Sequence, residues 1–144
     1  MSIRQISVFL ENKPGKLSEM TALLAKEKID IRALSLAETK DFGIARMITS
    51  NADETVRILR QGNYLADFSP VLAYAVPDTP GGLDRLLAAF NEAKVNIEYM
   101  YAFLSGKKSD QAYMIFRVAG TEKAETALRD LGLNSLTQQE IQGL

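Results

Sequence analysis

Two short segments carry the residues best suited to chemistry: Glu11-Asn12-Lys13-Pro14-Gly15-Lys16-Leu17 and Pro77-Asp78-Thr79-Pro80-Gly81-Gly82-Leu83. In each, a polar side chain, Asn12 or Asp78, stands two positions ahead of a Pro-Gly pair, and a leucine follows. Proline fixes φ and gives up an N–H that the first turn of a helix does not use, so the pair reads as a passage from strand into helix. A helix start offers unpaired backbone N–H groups and the positive end of the helix dipole, which together attract a carboxylate or phosphate. Glycine lets such a ligand approach the backbone, because no Cβ intervenes. Asn12 or Asp78, at the mouth of the loop, is placed to hydrogen-bond a second polar group, and an amino acid carries both charges needed. The same residues also suit an ordinary turn in which Asn12 or Asp78 bonds only its own loop.

The elements that must position these loops are written twice. Ile6 to Asn12, Pro14-Gly15 and Leu17 fall on Leu72 to Asp78, Pro80-Gly81 and Leu83 at an offset of 66 residues, and Lys28-Ile29-Asp30-Ile31 matches Lys94-Val95-Asn96-Ile97. The match slips by two where the second copy has a longer hairpin loop before Ala112, the place where repeats diverge most easily. Each copy opens with alternating apolar residues, Ile6/Val8/Leu10 and Leu72/Tyr74/Val76, the period of a half-buried strand. Behind each Pro-Gly pair, Leu17, Met20 and Leu24, and then Leu83, Leu86, Leu87, Phe90 and Ala93, recur at helical spacing.

Two further strands follow in each copy, Ile31 to Lys40 with Phe42 to Ser50, and Ile97 to Leu104 with Ala112 to Val118, each pair joined by a hairpin. A second helix opens at Asn51, with Glu54 three residues on, and in the other copy at Thr121; Gly62 and Gly132 are placed to end these helices. A last short strand is expected around Ala66 to Ser69 and around Ser135 to Ile141. The fold class is therefore α+β: two ferredoxin-like βαββαβ units with antiparallel sheets, residues 1–69 and 70–144, each carrying both helices on one sheet face. The junction Phe68-Ser69-Pro70-Val71 is too short and stiff for independent domains, so the units are expected to pack together as one body. In the second copy Tyr99, Tyr101 and Phe103 alternate with Met100, Ala102 and Leu104, so both faces of that strand are apolar. The aromatics are read either as core of their own unit or as lining for an interface or pocket.

Composition narrows the function. A chain of 144 residues, 47% apolar and 24% charged, is that of a folding globular protein. No stretch approaches the ~18 apolar residues of a membrane helix, and the start Met1-Ser2-Ile3-Arg4-Gln5 lacks the layout of a signal peptide, so a cytoplasmic location is expected. The absence of cysteine and histidine removes disulfides, thiolate nucleophiles and the commonest general base and metal ligands. A net charge of −1 gives no reason to expect nucleic acid as a partner. No catalytic residue, metal site or cofactor is assigned.

The pattern of a strand, Asn/Asp-x-Pro-Gly-x-Leu, a helix of about a dozen residues, then Val/Ile-Asn/Asp-Ile opening the next strand resembles the ACT domain, and it covers nearly the whole chain twice. The first copy, with Glu11 to Leu17 and Ile29-Asp30-Ile31, is similar to versions found in amino-acid-regulated biosynthetic enzymes. The resemblance implies an amino-acid-binding regulatory protein, a homodimer with an enzyme as a further possible partner. The ligand is then held at the interface of paired units by the loop after the first strand and the start of the second. The implied ligand-binding residues are Asn12, Lys13, Pro14, Gly15, Lys16, Leu17 and Asp30 in one copy, and Asp78, Thr79, Pro80, Gly81, Gly82, Leu83, Asn96 and Ile97 in the other. The copies swap amide and acid, Asn12 with Asp30 against Asp78 with Asn96, and an acid suits an ammonium but repels a carboxylate. The two sites are expected to be unequal.

Other readings are weaker. The alternative function is a protein-interaction or oligomerisation module that uses Tyr99, Tyr101 and Phe103. Ser105-Gly106-Lys107-Lys108-Ser109 lacks the leading glycine and following helix of a phosphate-binding loop and reads as a solvated turn. Asp41-Phe42-Gly43-Ile44-Ala45 is an acidic approximation to an RNA-binding strand. Lys26/Glu27/Lys28 and Arg57/Arg60 read as exposed helix faces.

Overall fold

The structure, a computed structural model, describes residues 2–38, 40–103 and 110–144. Its contacts divide the chain into Arg4–Ser69 and a second unit of Pro70–Leu144 with the first residues of the chain.

In the first unit, β1 (Ile3–Glu11) leads through the Pro-Gly loop into α1 (Lys16–Lys26), β2 (Ile31–Glu38), β3 (Phe42–Thr49) and α2 (Ala52–Gln61). Antiparallel pairing sets Val8 opposite Ala45 and Ala45 opposite Leu36, so Ile6, Val8, Leu10, Ala45 and Met47 share one face. That face is the core, where these side chains meet Met20 and Leu24 of α1 and Val56, Ile58 and Leu59 of α2. Asn51 caps α2 as its position implies, its side chain accepting the Glu54 N–H at 3.1 Å. Gly62 closes α2 but keeps a negative φ, and Asn63 takes the left-handed conformation instead (φ 67°). A Cβ on Gly62 would lie 2.8 Å from Leu23 Cδ2, so that side chain would have to shift to admit one.

The strands expected on either side of Phe68-Ser69-Pro70-Val71 are one strand, β4 (Leu65–Pro77). In the second unit β4 leads to α3 (Gly82–Glu92), β5 (Ile97–Ala102), β6 (Gln111–Val118) and α4 (Thr121–Asp130). Leu72 pairs with Phe116 and Phe116 with Met100. This row belongs to a core in which the rings of Tyr74, Phe90 and Phe116 pack edge-on or tilted, with centroids 4.6 to 6.2 Å apart. Met100 joins that core, while Tyr99 and Tyr101 lie on the opposite face, opposite Arg117 and Ile115. The register therefore excludes these tyrosines from the helix-side core of their own unit.

Two expectations are corrected. Thr121 does not cap α4; Gly120, in the left-handed region at φ 62°, stands at the N-cap and Thr121 is the first helical residue. No strand forms over Ser135 to Ile141. Leu136 donates one backbone bond to Ala73 (2.8 Å), after which Thr137 and Glu140 form a reciprocal capping box that turns the chain into α5 (Gln138–Gln142). Leu104 and the Ser105 to Ser109 turn lie outside the described residues.

Candidate functional site

The first Pro-Gly loop is tied down at its start, where the Asn12 N–H donates to the Asp41 carbonyl at 3.0 Å and brings the β2–β3 hairpin alongside. Lys13 N–H then turns back onto the Glu11 carbonyl at 2.9 Å. Gly15 adopts φ 87°, a conformation L side chains rarely adopt, and an added Cβ would meet nothing within 4 Å. No side chain caps α1; its first N–H, that of Lys16, donates to the Lys13 carbonyl at a long 3.3 Å.

Between this loop and the hairpin lies a cleft of about 60 Å³. Leu10, Leu17, Leu36 and Gly43 give it an apolar floor, and Glu11, Asn12, Lys13, Lys16 and Glu38 form its rim. Both signs of charge are present at the rim. Lys13 Nζ lies 2.9 Å from Glu11 Oε2, and this hydrogen bond, with the Lys13 and Lys16 charges, holds the Glu11 carboxyl below its ordinary value of 4.5. Glu11 is thus an anion at neutral pH. Lys16 Nζ lies 3.7 Å from Glu19 Oε2, a loose exposed contact that leaves the ammonium adjustable.

A larger cavity of about 330 Å³ adjoins the cleft, with Leu10, Glu11 and Lys16 lining both. Its further walls include Phe9, Phe42, Tyr64 and Leu65.

Asn12, Lys13, Lys16 and Leu17 are therefore brought together, with Pro14 and Gly15 forming the bend between them. Asp30 is not. It precedes Ile31, which pairs with Thr49, whereas the loop follows Glu11, which pairs with Phe42; seven residues of β3 separate the two ends, about 23 Å of strand. The Asp30 carboxylate is held 3.2 Å from Arg32, and its peptide group exchanges bonds with Ser50. Leu36 and Glu38 of the cleft carried no motif, and Gly43 only a poor match to an RNA-binding strand; the pairing of the hairpin with the end of β1 is what marks them.

The second loop repeats the anchoring bond, with Asp78 N–H donating to Asp110 at 2.9 Å and Gly81 again at φ 87°. It then departs from the first. Where Lys16 stands in loop one, Gly82 is buried, and a Cβ on it would lie 2.2 Å from the Pro77 carbonyl oxygen. The carbonyl of Thr79 accepts the Gly82 N–H at 3.0 Å, just as that of Lys13 accepts the Lys16 N–H at 3.3 Å in loop one; Pro80 and Gly81 are exposed, and Leu83 packs at the margin of the core. Asn96 and Ile97 again fall at the far end of the strands, where Asn96 accepts the Ala119 N–H and Ile97 pairs with Val118. Among the described residues no group of acidic side chains is gathered as a metal site would require, and no helix is long and apolar enough to cross a membrane.

Comparison with known proteins places this geometry. The family described as an ACT domain pair matches residues 1–144. A crystal structure of a protein from Bacteroides thetaiotaomicron is similar at 33% identity and a TM-score of 0.90, covering 100% of this chain and 98% of that one. The ligand-free regulatory subunit of aspartate kinase from Thermus thermophilus superposes with a TM-score of 0.66 at 17% identity, over 90% of each chain. That from Thermus flavus gives 0.61 at 18% identity, also over 90% of each chain. At such identities the two kinase subunits show a shared fold. No curated protein sequence matches significantly.

Proposed function

We propose that this chain, which belongs to the family of ACT domain pairs, is a regulatory protein that binds an amino acid at its first Pro-Gly loop. The observation that carries this reading is the cleft between that loop and the β2–β3 hairpin, whose rim holds both signs of charge above an apolar floor. The α1 start with Lys13 and Lys16 suits a carboxylate. Glu11, kept ionised by Lys13, and Glu38 suit an ammonium. A zwitterion can replace the exposed Lys13–Glu11 pair with its own contacts to both charges, which a neutral or singly charged metabolite cannot do, and this is the basis of selectivity.

The second loop does not serve in the same way. At its helix start Gly82 packs against the Pro77 carbonyl and leaves no room for a side chain, so no cation stands where Lys16 does in the first loop. One amino acid per chain follows. We further infer that the chain acts as a homodimer, in which an ACT-like unit from a second copy closes over the loop, and that no reaction is catalysed. The kinase subunits of the same fold are named as regulatory parts of an enzyme, which suits a role in which this chain answers to a partner enzyme. Ligand binding alters such a partner only if one state of the assembly binds the amino acid better than the other.

Thermal unfolding in the presence of each of the twenty amino acids at millimolar concentration tests the reading. A ligand at 100 times its dissociation constant adds about 2.7 kcal/mol, so at least one amino acid should raise the Tm in a concentration-dependent way. A panel in which none does would remove the proposal. The row of half-buried Tyr99, Tyr101 and Phe103 supports a second role in association with another protein. Tyr101→Asp should then lower the mass in size-exclusion chromatography; a variant of unchanged mass would argue against it.

A further inference from the structure

The cleft at the first loop has room for the charged head of an amino acid but little else, at about 60 Å³ against about 330 Å³ for the cavity beside it. Only the larger lies in the range of small-molecule sites, roughly 300–1,000 Å³. The two share Leu10, Glu11 and Lys16, so a molecule whose head lies in one has its next atoms at the entrance of the other.

The distribution of exposed apolar surface points the same way. Among the described residues five large apolar side chains stand well exposed: Phe9, Leu36, Phe42, Leu65 and Leu131. Four of the five line these two spaces, Leu36 the cleft and the other three the cavity. Single exposed apolar residues are ordinary, but a concave cluster beside paired charges is the composition of a ligand pocket. Phe9 and Phe42 fall on the same sheet face, since Phe9 pairs with Ile44 and Glu11 with Phe42, so their rings can flank one inserted group.

We propose that the bound amino acid carries a large apolar or aromatic side chain, lodged in the cavity formed by Phe9, Phe42, Tyr64 and Leu65, with Lys16 and Glu11 holding its head at the shared rim. This rests on the reading of the first loop as an amino-acid site. Apolar contact with Phe42 and Leu65, which stand 54% and 73% exposed, is what a large side chain gains over a small one.

The test is isothermal titration of the intact chain with phenylalanine, leucine and methionine against alanine, serine, aspartate and lysine, repeated on Phe42→Ser and Leu65→Ser. Both positions are exposed, so the variants should fold, which circular dichroism checks. At least one of the large apolar amino acids should bind ten-fold or more tightly than alanine, and each variant should remove most of that advantage while leaving alanine within about two-fold. If alanine, serine, aspartate or lysine binds as tightly as the apolar set, the assignment of the cavity is overturned while the amino-acid site stands. If the variants lower the mass of the particle but leave the affinity ratio intact, the cavity belongs to an interface between copies and the inference is again overturned. If no amino acid binds at all, both readings fail together.

Discussion

Two glycines at nearly matching positions do different jobs, and substitution separates them. At Gly15 the demand is conformational: φ is 87° and the space around the missing Cβ is open, so Gly15→Ala should cost about 1 kcal/mol of left-handed strain and little more. At Gly82 the demand is steric, because a Cβ would press on the Pro77 backbone oxygen at 2.2 Å, and neither atom can swing away. Gly82→Ala should cost about 3 kcal/mol, at the upper end of overpacking effects, measured by chemical denaturation. Equal costs for the two would contradict the closed second loop. The sequence legibly marked Gly15 and Gly81 through their Pro-Gly context. The Gly82 contact left no such signature, because it depends on where the end of β4 passes. A third residue-scale expectation concerns Tyr74, whose hydroxyl is buried without a protein partner among the described residues and whose pKa is raised, chiefly by burial and then by the Glu125 charge. Tyr74→Phe keeps the ring contacts to Phe90 and Phe116, so stability should hold or rise by up to about 1 kcal/mol. A loss of that size would show the hydroxyl to be bonded.

At the scale of elements, most of the architecture was readable because periodicity and punctuation agreed. The alternating Ile6/Val8/Leu10 became β1 and the helical spacing of Leu83, Leu86 and Phe90 became α3. The Asn51 and Glu54 pair marked a true cap, and Asn51→Ala should cost about 1 kcal/mol in the same denaturation measurement, with no change in ligand affinity, since α2 begins at the end of the unit away from the loop. An affinity change of more than about two-fold would contradict that separation. The misreadings have physical causes. Thr137-x-x-Glu140 is a capping box as legible as any in the chain, yet the repeat argued for a strand there, and the local signal prevailed. Phe68-Ser69-Pro70-Val71 reads as a short junction between two strands, but proline is compatible with a strand where its missing N–H is not called upon, and the two are one. Asp30, included by resemblance to sites formed between paired units, lies at the opposite end of its own unit from the loop, because an eleven-residue helix separates the two.

For the molecule as a whole, exposed ion pairs make a small contribution to the response to acid. Asp53 is held below its ordinary 3.8 by its hydrogen bond from Arg4, and Glu54 below 4.5 by its bond from Arg57. A carboxylate with a depressed folded pKa stabilises the fold fully above its unfolded value, and that contribution disappears as pH falls through the folded value. Stability should therefore be level from neutral pH down to the ordinary carboxylate range and then decline, and Asp53→Asn should make the decline shallower; an unchanged acid limb in that variant would show that the Arg4 pair contributes nothing. The charges at the first loop belong to binding, and they permit the most direct test of the central claim, that one amino acid is held per chain at that loop. The measurement is isothermal titration of the most strongly stabilising amino acid into the intact chain, into Lys16→Glu, and into Asp84→Asn at the start of α3. One site per chain, an affinity at least ten-fold weaker for Lys16→Glu and unchanged for Asp84→Asn is the predicted result. Two equal sites, or binding indifferent to Lys16→Glu, would contradict it.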